Sequence, residues 1–253
     1  KSYMSNICKE KELRLSGTDA EEYFRQNMIN SKHSADRFLN SKKLHNSQFR
    51  ETKTTQKYEI SLFTSSDAEN ITCGPTCTLP GGWNSQIEFL VDLMLAYNTR
   101  CTGKEVILNV RIHPNISCYH SEDLQRQISL FERIDNCKLY LPGDECDSYE
   151  LASNSDIIIS YGSTISLETA YLGIPSYVAS PTPYELCGLV PRIYHLRQIK
   201  EIFDSPGKII SNYRCPPKSV FDTYCQFLNE REINHRYYVA TGFSTGLFKN
   251  ESL

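Results

Sequence analysis

The sequence predicts an α/β fold in which helices cover both faces of a parallel, Rossmann-like sheet. From Tyr58 onward, short apolar segments of strand length alternate with longer segments of helical periodicity. Several of these strands are apolar on consecutive residues, as in the three isoleucines at 157–159, which is typical of strands buried on both faces. Such an alternation of strand and helix indicates a parallel sheet.

Apolar and β-branched residues define the strands, and amphipathic spacing defines the helices. The predicted strands are 58–63, 106–112, 138–141, 157–160, 176–179 and 192–195. The predicted helices are 83–97, 121–134, 148–152, 163–172, 197–203 and 219–231. Gly173 and Pro175 end the helix at 163–172, and Pro216-Pro217 precede the last helix.

The composition changes near residue 57 and divides the chain into three regions. Region 1–57 is polar, with one predicted helix at 19–28 followed by a linker or mobile arm that is rich in Ser, Lys, Asn and Thr. Region 58–210 is the Rossmann-like domain. Region 211–253 is predicted to be a C-terminal helical extension.

Charge and hydropathy exclude several classes of protein. A net charge of −3 gives no overall basic surface, so we expect no nucleic-acid partner. The sequence contains no run of about eighteen apolar residues, so we expect no transmembrane helix.

The ten cysteines are scattered along a chain with long periodic segments, which favours free thiols in a reducing cytoplasm over a disulfide scaffold. Three Asn-X-Ser/Thr triplets, at Asn70, Asn115 and Asn250, favour secretion instead. The pair Cys73 and Cys77 lacks a second Cys or His pair at matching spacing, so we expect two loop cysteines rather than a metal site.

Polar or small residues follow three of the predicted strands. They are Thr-Ser-Ser-Asp at 64–67, His-Pro-Asn at 113–115 and Tyr-Gly-Ser-Thr at 161–164. In parallel α/β sheets, ligands bind beyond the carboxyl ends of the strands, near the point where the strand order reverses. We therefore expect these loops to converge on one crevice, with Ser65 and Ser66 among its lining residues.

The turn after the fourth strand has the features of an anion site. Gly162 permits a tight turn, and Ser163 and Thr164 supply hydroxyls where a helix with free backbone N–H groups begins. Glu168 lies one helical turn further on and could accept hydrogen bonds from the vicinal hydroxyls of a ribose. The alternative is that Ser163 only caps the helix.

His113 is the second candidate anchor. Pro114 favours an extended backbone at His113, so the imidazole is directed outward, where it can donate to a phosphate or protonate a leaving phosphate. Arg111 lies two residues earlier, on the same side of the strand. It is either a further phosphate contact or a structural ion-pair partner.

Four segments resemble the donor-binding domain of bacterial capsule-polysaccharide glycosyltransferases of the GT-B type, in particular the Kdo-transferring enzymes. They are Arg-Ile-His-Pro-Asn at 111–115, Asp-Ser-Tyr-Glu-Leu at 147–151, Ser-Asp at 155–156, and Gly-Ser-Thr-Ile-Ser-Leu-Glu-Thr-Ala-Tyr-Leu-Gly-Ile-Pro at 162–175. The His-Pro and Ser-Thr pairs also occur in bacterial sialyltransferases and teichoic-acid polymerases. The resemblance covers about residues 58–195.

The resemblance implies one half of a GT-B fold and a set of site residues. His113 would contact phosphate and act in catalysis, Ser163 and Thr164 would contact phosphate, and Glu168 would contact ribose. The loop at 141–143, which contains Pro142, would face the base. Hydroxyls and imidazole without a paired Asp motif imply no metal and no other cofactor.

The implied function is a glycosyltransferase, or its donor-binding domain, that builds a surface polysaccharide from a nucleotide-activated sugar. The motif pairs favour a CMP-linked donor, and the acceptor would be a glycan or glycolipid. Region 1–57 would be a remnant of an acceptor domain. The implied location is the cytoplasm, at the inner face of the membrane where a missing domain or partner supplies the membrane contact.

Three alternatives remain open. A sugar-nucleotide epimerase of the same architecture would need additional carboxylates in the cleft. A transferase that moves glycerol phosphate from a CDP carrier shares the motif pairs. A non-catalytic nucleotide-sugar-binding module fits a chain in which the sequence shows only one Rossmann-like domain. A serine hydrolase is disfavoured because Ser163 lacks the following Gly of a nucleophile elbow.

Overall fold

The computed structural model describes residue 20 and residues 57–65, 82–101, 106–114, 116, 121–230, 238–242 and 245–248. The strands are β1 (Tyr58–Phe63), β2 (Val106–Arg111), β3 (Cys137–Tyr140), β4 (Ile157–Ser160), β5 (Ser176–Val178), β6 (Tyr238–Gly242) and β7 (Thr245–Phe248). The helices are α1 (Gln86–Arg100), α2 (Ser121–Phe131), α3 (Ser148–Ser153), α4 (Ile165–Tyr171), α5 (Pro183–Leu186), α6 (Leu196–Asp204), α7 (Pro206–Asn212) and α8 (Lys218–Glu230).

Five strands form one parallel sheet in the order β3-β2-β1-β4-β5. The chain moves outward from β1 to β3, then crosses back to place β4 on the other side of β1. The strand order therefore reverses between β1 and β4. This arrangement confirms the predicted α/β class with a Rossmann-like parallel sheet.

Helices pack on both faces of the sheet because successive side chains of each strand point to opposite faces. Ile60 and Leu62 of β1 belong to the core beneath α1 and α6, while Phe63 belongs to the core beneath α4 and α8. Phe89 of α1 and Phe221 of α8 are fully buried in these two cores. Truncation of either ring to alanine would cost about 3–5 kcal/mol of stability.

The strand predicted at 192–195 is reduced to a single bridge, which pairs Arg192 with Val178. The backbone N–H of Ile193 donates to the Val178 carbonyl at 2.9 Å, and the chain then leaves the sheet. The backbone N–H of Tyr194 is instead bound at 2.8 Å by the Gln198 side chain, at the start of α6. A local cap therefore replaces strand pairing at this position.

Helix boundaries and the C-terminal region also differ from the prediction. Helix α1 begins after Ser85, whose hydroxyl accepts a 3.2 Å hydrogen bond from the Glu88 N–H, so Trp83 precedes it. Helices α5 and α7 were not predicted from the sequence. Pro183 and Pro206 occupy their first positions, and proline is also typical of turns. Region 211–253 contains the hairpin β6–β7 as well as α8.

Ala20 belongs to the N-terminal region but is fully buried in the core beneath α8. Its backbone N–H donates to the Asp222 carboxylate at 2.9 Å. The rest of the helix predicted at 19–28 and the linker that follows it, as far as residue 56, lie outside the described residues. Within the described part of the chain, no helix is long and apolar enough to cross a membrane.

Candidate functional site

A cleft of about 580 Å³ opens at the carboxyl end of the sheet, where the strand order reverses. This volume lies in the range that takes a nucleotide-sized ligand. Residues that follow β1, β2, β3 and β4 all contribute to its walls. The lining residues are Phe63, Thr64, Arg111, His113, Pro114, Asp144, Glu145, Cys146, Asp147, Ser148, Tyr149, Ser163, Thr164, Ile165 and Glu168.

His113 is half-buried and its backbone is fixed from the neighbouring strand. The buried hydroxyl of Thr64, just after β1, accepts a hydrogen bond of 2.9 Å from the His113 N–H. Pro114, which follows, is exposed and also lines the cleft. The imidazole therefore lies at the cleft wall, and its backbone is fixed both by β2 and by Thr64 at the end of β1.

Arg111 lines the same cleft and is only 6% exposed. One terminal nitrogen of its guanidinium donates to the Leu141 carbonyl, just after β3. The Nε atom is buried and has no hydrogen-bond partner among the described residues. A buried cation with an unused donor is energetically unfavourable unless a ligand or water completes its shell.

The turn between β4 and α4 depends on Gly162, which has a positive φ of 82°. The Tyr184 hydroxyl of α5 donates to the Ser163 carbonyl at 2.9 Å and stabilises the turn. The Ser163 hydroxyl accepts a long, 3.4 Å contact from the Ile165 N–H. Thr164 is exposed and makes no side-chain cap. Its hydroxyl remains available to a ligand in the cleft.

Glu168 is 6% exposed and lies on the first turn of α4 with its carboxylate at the cleft. Burial raises the pKa of this carboxyl to about 7, and a hydrogen bond from the Tyr149 hydroxyl acts in the opposite direction. Tyr149 belongs to α3 and lines the same cleft. A carboxyl with this pKa is half-ionised near neutral pH.

The loop between β3 and α3 brings three acidic residues to the cleft. The Asp144 carboxylate accepts a hydrogen bond of 2.7 Å from the Leu141 N–H and braces the loop. Asp147 caps α3 by accepting from the Tyr149 N–H at 2.8 Å. Glu145 is exposed beside them. Burial raises the pKa of the half-buried Cys146 thiol, and the nearby Arg111 guanidinium opposes this effect.

Of the residues expected at the site, Ser65 and Pro142 do not line the cleft, and Ser66 lies outside the described residues. Ser65 is buried and does not line the cleft, because the Gln86 amide of α1 binds its N–H at 2.7 Å and its carbonyl at 2.9 Å. Pro142 belongs to the expected loop, but the cleft wall is made by residues 144–149 instead. Ser66 lies outside the described residues.

The remaining site residues predicted from sequence come together as one set in the cleft: Arg111, His113, Ser163, Thr164 and Glu168. Sequence reasoning assigned no role to Thr64, to Tyr149 or to the acidic residues at 144–147. The Asp-Ser-Tyr segment at 147–149 was part of the resemblance but carried no assigned role. Among the described residues no group of three or more His, Cys, Asp or Glu side chains has the arrangement of a metal site.

No protein-family model matches this chain. Over 137 residues the chain is 30% identical to an uncharacterized protein of Methanocaldococcus jannaschii. This alignment covers 49% of the chain and 36% of the relative. The chain therefore spans little more than a third of the length of that curated relative.

Several solved structures are similar to the chain. They include the UDP-GlcNAc 2-epimerase of Neisseria meningitidis bound to UDP-GlcNAc, with a TM-score of 0.46, 15% identity and coverage of 81% of this chain and 58% of that one. KpsC of Thermosulfurimonas dismutans, a β-Kdo 2,7 transferase, has a TM-score of 0.42 and 15% identity over 88% of this chain and 58% of that one. The wall teichoic acid polymerase TagF has a TM-score of 0.41 and 13% identity over 81% and 49%.

The Kdo transferase and the teichoic acid polymerase belong to classes that the sequence motifs resemble, and the epimerase belongs to the class kept as an alternative. The chain spans about half to three-fifths of their lengths. At such identities and TM-scores the similarity assigns neither an activity nor a ligand to this chain.

Proposed function

We propose that this chain binds a nucleotide-activated sugar in the cleft at the carboxyl end of its sheet and forms the donor-binding half of a glycosyltransferase. One observation supports this most strongly. The buried guanidinium of Arg111 lines the cleft with an unused Nε donor, beside the His113 imidazole. A phosphate in the cleft would place a negative charge beside this cation.

The proposed ligand lies across the strand-order reversal. Its phosphates contact Arg111, His113 and the hydroxyls of Ser163 and Thr164. Its ribose lies toward α4, where Glu168 accepts hydrogen bonds from the vicinal hydroxyls. The size of the cleft leaves room for the base beside the loop that follows β3.

Transfer of the sugar leaves negative charge on the departing phosphate oxygen. Arg111 and His113 are donors that strengthen as this charge develops, and the imidazole can also deliver a proton to it. The acceptor would enter from the open side of the cleft. The finer proposal is a CMP-linked donor used to build a surface polysaccharide, without a metal, on a glycan or glycolipid acceptor in the cytoplasm.

Calorimetric titration with CMP, CDP, UDP, GDP and dTDP tests the site. We expect His113→Ala to weaken binding of the preferred nucleotide by roughly 1–3 kcal/mol, because a donor to phosphate is lost. Glu168→Gln should weaken binding of ribonucleotides but leave inorganic phosphate and deoxyribose analogues nearly unaffected. His195→Ala is the matched control, since His195 is exposed and does not line the cleft.

Parent-like affinity of both His113→Ala and Glu168→Gln for every nucleotide would refute the site. The Ser163-Thr164 turn would then be an ordinary helix start. Equal losses in His195→Ala would show that the affinity change follows from general damage to the fold.

A sugar-nucleotide epimerase is the second candidate, and the acidic loop favours it. Asp144, Glu145 and Asp147 line the cleft in addition to Glu168, and an epimerase needs carboxylates that can exchange a proton with the sugar. Two of the three are already engaged, because Asp144 binds the Leu141 N–H and Asp147 caps α3. Glu145 is exposed, as is Asp144.

Incubation of the protein with nucleotide sugars in D2O separates these functions. Deuterium in the recovered sugar identifies an epimerase. Release of free nucleotide that an added glycan acceptor accelerates, without deuterium incorporation, identifies a transferase. Binding with neither reaction identifies a nucleotide-sugar-binding module.

A further inference from the structure

The carbonyl oxygen of Ser163 faces the protein interior, where three donors surround it. The Tyr184 hydroxyl donates to it at 2.9 Å. The Ser166 N–H donates at 3.3 Å and the Ser160 hydroxyl at 3.4 Å, so both of these bonds are longer and weaker. All three donor residues are buried. The hydroxyl of Tyr184 is therefore the principal partner of this carbonyl.

The orientation of that carbonyl determines where the Thr164 N–H points. The peptide bond between Ser163 and Thr164 is trans, so its N–H points opposite to its C=O. The Thr164 N–H therefore points away from the interior, on the side where Thr164 lines the cleft. Within the part of the chain that the structure describes, this N–H makes no hydrogen bond. A backbone donor in this position is available to a ligand.

The short helix α5 fixes the position of Tyr184. The side chain is only 4% exposed and packs in the core beneath α4 and α8. The Thr182 hydroxyl caps the helix by accepting from the Glu185 N–H at 3.2 Å, and the Tyr184 carbonyl accepts from the Leu189 N–H at 3.0 Å. Burial raises the pKa of the Tyr184 phenol, so the hydroxyl keeps the proton that it donates.

The opposite orientation of the peptide between Ser163 and Thr164 would not suit an anion. Rotation of the peptide plane would turn the Ser163 carbonyl oxygen toward the cleft, where its partial negative charge would repel a phosphate. The bond from Tyr184 holds this oxygen in the interior. It also polarises the peptide, which strengthens the Thr164 N–H as a donor.

A separate observation indicates that an anion binds in this cleft. The guanidinium of Arg111 lines it from the end of β2, is 6% exposed, and carries a buried Nε with no hydrogen-bond partner among the described residues. A buried cation favours a negatively charged ligand beside it. The turn that carries Thr164 lines the same cleft.

We propose that Tyr184 is a positioning residue for phosphate recognition. By holding the Ser163 carbonyl in the interior, it directs the Thr164 N–H toward the cleft, where this N–H donates to a phosphate of the bound nucleotide. Tyr184 does not line the cleft itself and acts through the turn. This inference rests on the nucleotide site of the proposed function, and it assigns to that site a backbone donor and the side chain that orients it.

Calorimetric titration of Tyr184→Phe with CMP and UMP, and with the nucleosides cytidine and uridine, tests the inference. We expect the variant to bind the nucleotides about tenfold more weakly than the parent, the size of one hydrogen bond to a charged group. Nucleoside affinity should change by less than about twofold, because a nucleoside carries no phosphate. Equal losses for nucleotides and nucleosides would mean that Tyr184 only maintains the fold, and would overturn the inference.

Tyr97→Phe is the matched control. Tyr97 is 2% exposed, and its hydroxyl donates at 3.0 Å to the backbone carbonyls of Val106 and Asn136, away from the cleft. Both variants therefore remove a buried hydroxyl from a backbone carbonyl, and denaturant unfolding should show that both are destabilised. Only Tyr184→Phe should lose nucleotide affinity. An equal loss in Tyr97→Phe would contradict a specific role for Tyr184.

Amide-proton NMR supplies a readout that belongs to the Thr164 N–H itself. In the parent, saturating CMP should move the Thr164 amide resonance downfield as its proton binds the phosphate, and cytidine should not. In Tyr184→Phe the shift at saturation should be smaller. A Thr164 resonance that CMP does not move in the parent would overturn the inference.

The outcomes distinguish this inference from the proposed function. A parent that binds no nucleotide overturns both. A parent that binds nucleotides, with the same affinity and the same Thr164 shift in Tyr184→Phe, overturns the role of Tyr184 and leaves the nucleotide site standing.

Discussion

The hydroxyl of Thr64 accepts a hydrogen bond of 2.9 Å from the backbone N–H of His113. This bond joins the ends of β1 and β2 at the point where both strands enter the cleft. We expect Thr64→Val, which keeps the shape of the side chain, to lower the free energy of unfolding by about 1–3 kcal/mol. The reason is that a partly buried N–H loses its acceptor. Nucleotide affinity should fall severalfold as His113 loses its fixed position.

Denaturant unfolding and calorimetry measure these two effects. Thr223→Val is the control, because buried Thr223 of α8 loses only a 2.8 Å bond to the Ser219 carbonyl, away from the cleft. A Thr64→Val variant with unchanged nucleotide affinity would show that this bond does not position His113 for binding.

Replacement of Gly162 tests the turn between β4 and α4. The positive φ of 82° at this position disfavours any side chain, so Gly162→Ala should cost about 1–2 kcal/mol of stability and displace the hydroxyls of Ser163 and Thr164. Gly173→Ala is matched in backbone strain, with a φ of 82° and open space around the new methyl group. Both variants should be destabilised, and only Gly162→Ala should lose nucleotide affinity. Equal affinities would argue against a ligand at this turn.

The buried carboxyl of Glu168 makes stability depend on pH. Its pKa is raised from 4.5 to about 7, so the folded protein keeps a proton that the unfolded chain releases between these values. The contribution of this proton is present below about pH 4.5 and is lost as the pH rises toward 7. The slope is at most about 1.4 kcal/mol per pH unit.

Urea unfolding of the parent and of Glu168→Gln at pH 5, 6, 7 and 8 measures this effect. The stability of the parent relative to the variant should fall across pH 5–7 and level off above that window. A difference that does not change with pH would mean that Glu168 is ionised throughout.

Metal removal should leave nucleotide binding unchanged. The candidate phosphate contacts are Arg111, His113 and the hydroxyls of the 163–164 turn, while Asp144 and Asp147 are engaged by backbone N–H groups. We expect titrations in EDTA and in Mg²⁺ to give the same affinity within about twofold, less than half a kcal/mol. Binding that disappears in EDTA and returns with Mg²⁺ or Mn²⁺ would assign the phosphate to a metal.

The sequence by itself determined the strands and the places where they end. Strands β1 and β4 were predicted with their observed bounds, because consecutive apolar residues and the polar residues after them are local signals. The same signals located Arg111, His113 and Thr164, since the carboxyl ends of parallel strands must share one edge of the sheet. Glu168 was located by its position one helical turn after Thr164.

Only the tertiary structure decided which side chains meet at that edge. Ser65 was expected in the cleft because it is polar and follows β1. In the structure the side-chain amide of Gln86, from α1, binds the backbone of Ser65, and Ser65 is buried. Tyr149 and Glu168 line the same cleft because α3 and α4 approach each other, although nineteen positions separate them in the chain. The periodicity of the sequence determines on which face of its helix or strand a side chain lies. The distance between two elements depends on how their cores pack, and local sequence does not encode it.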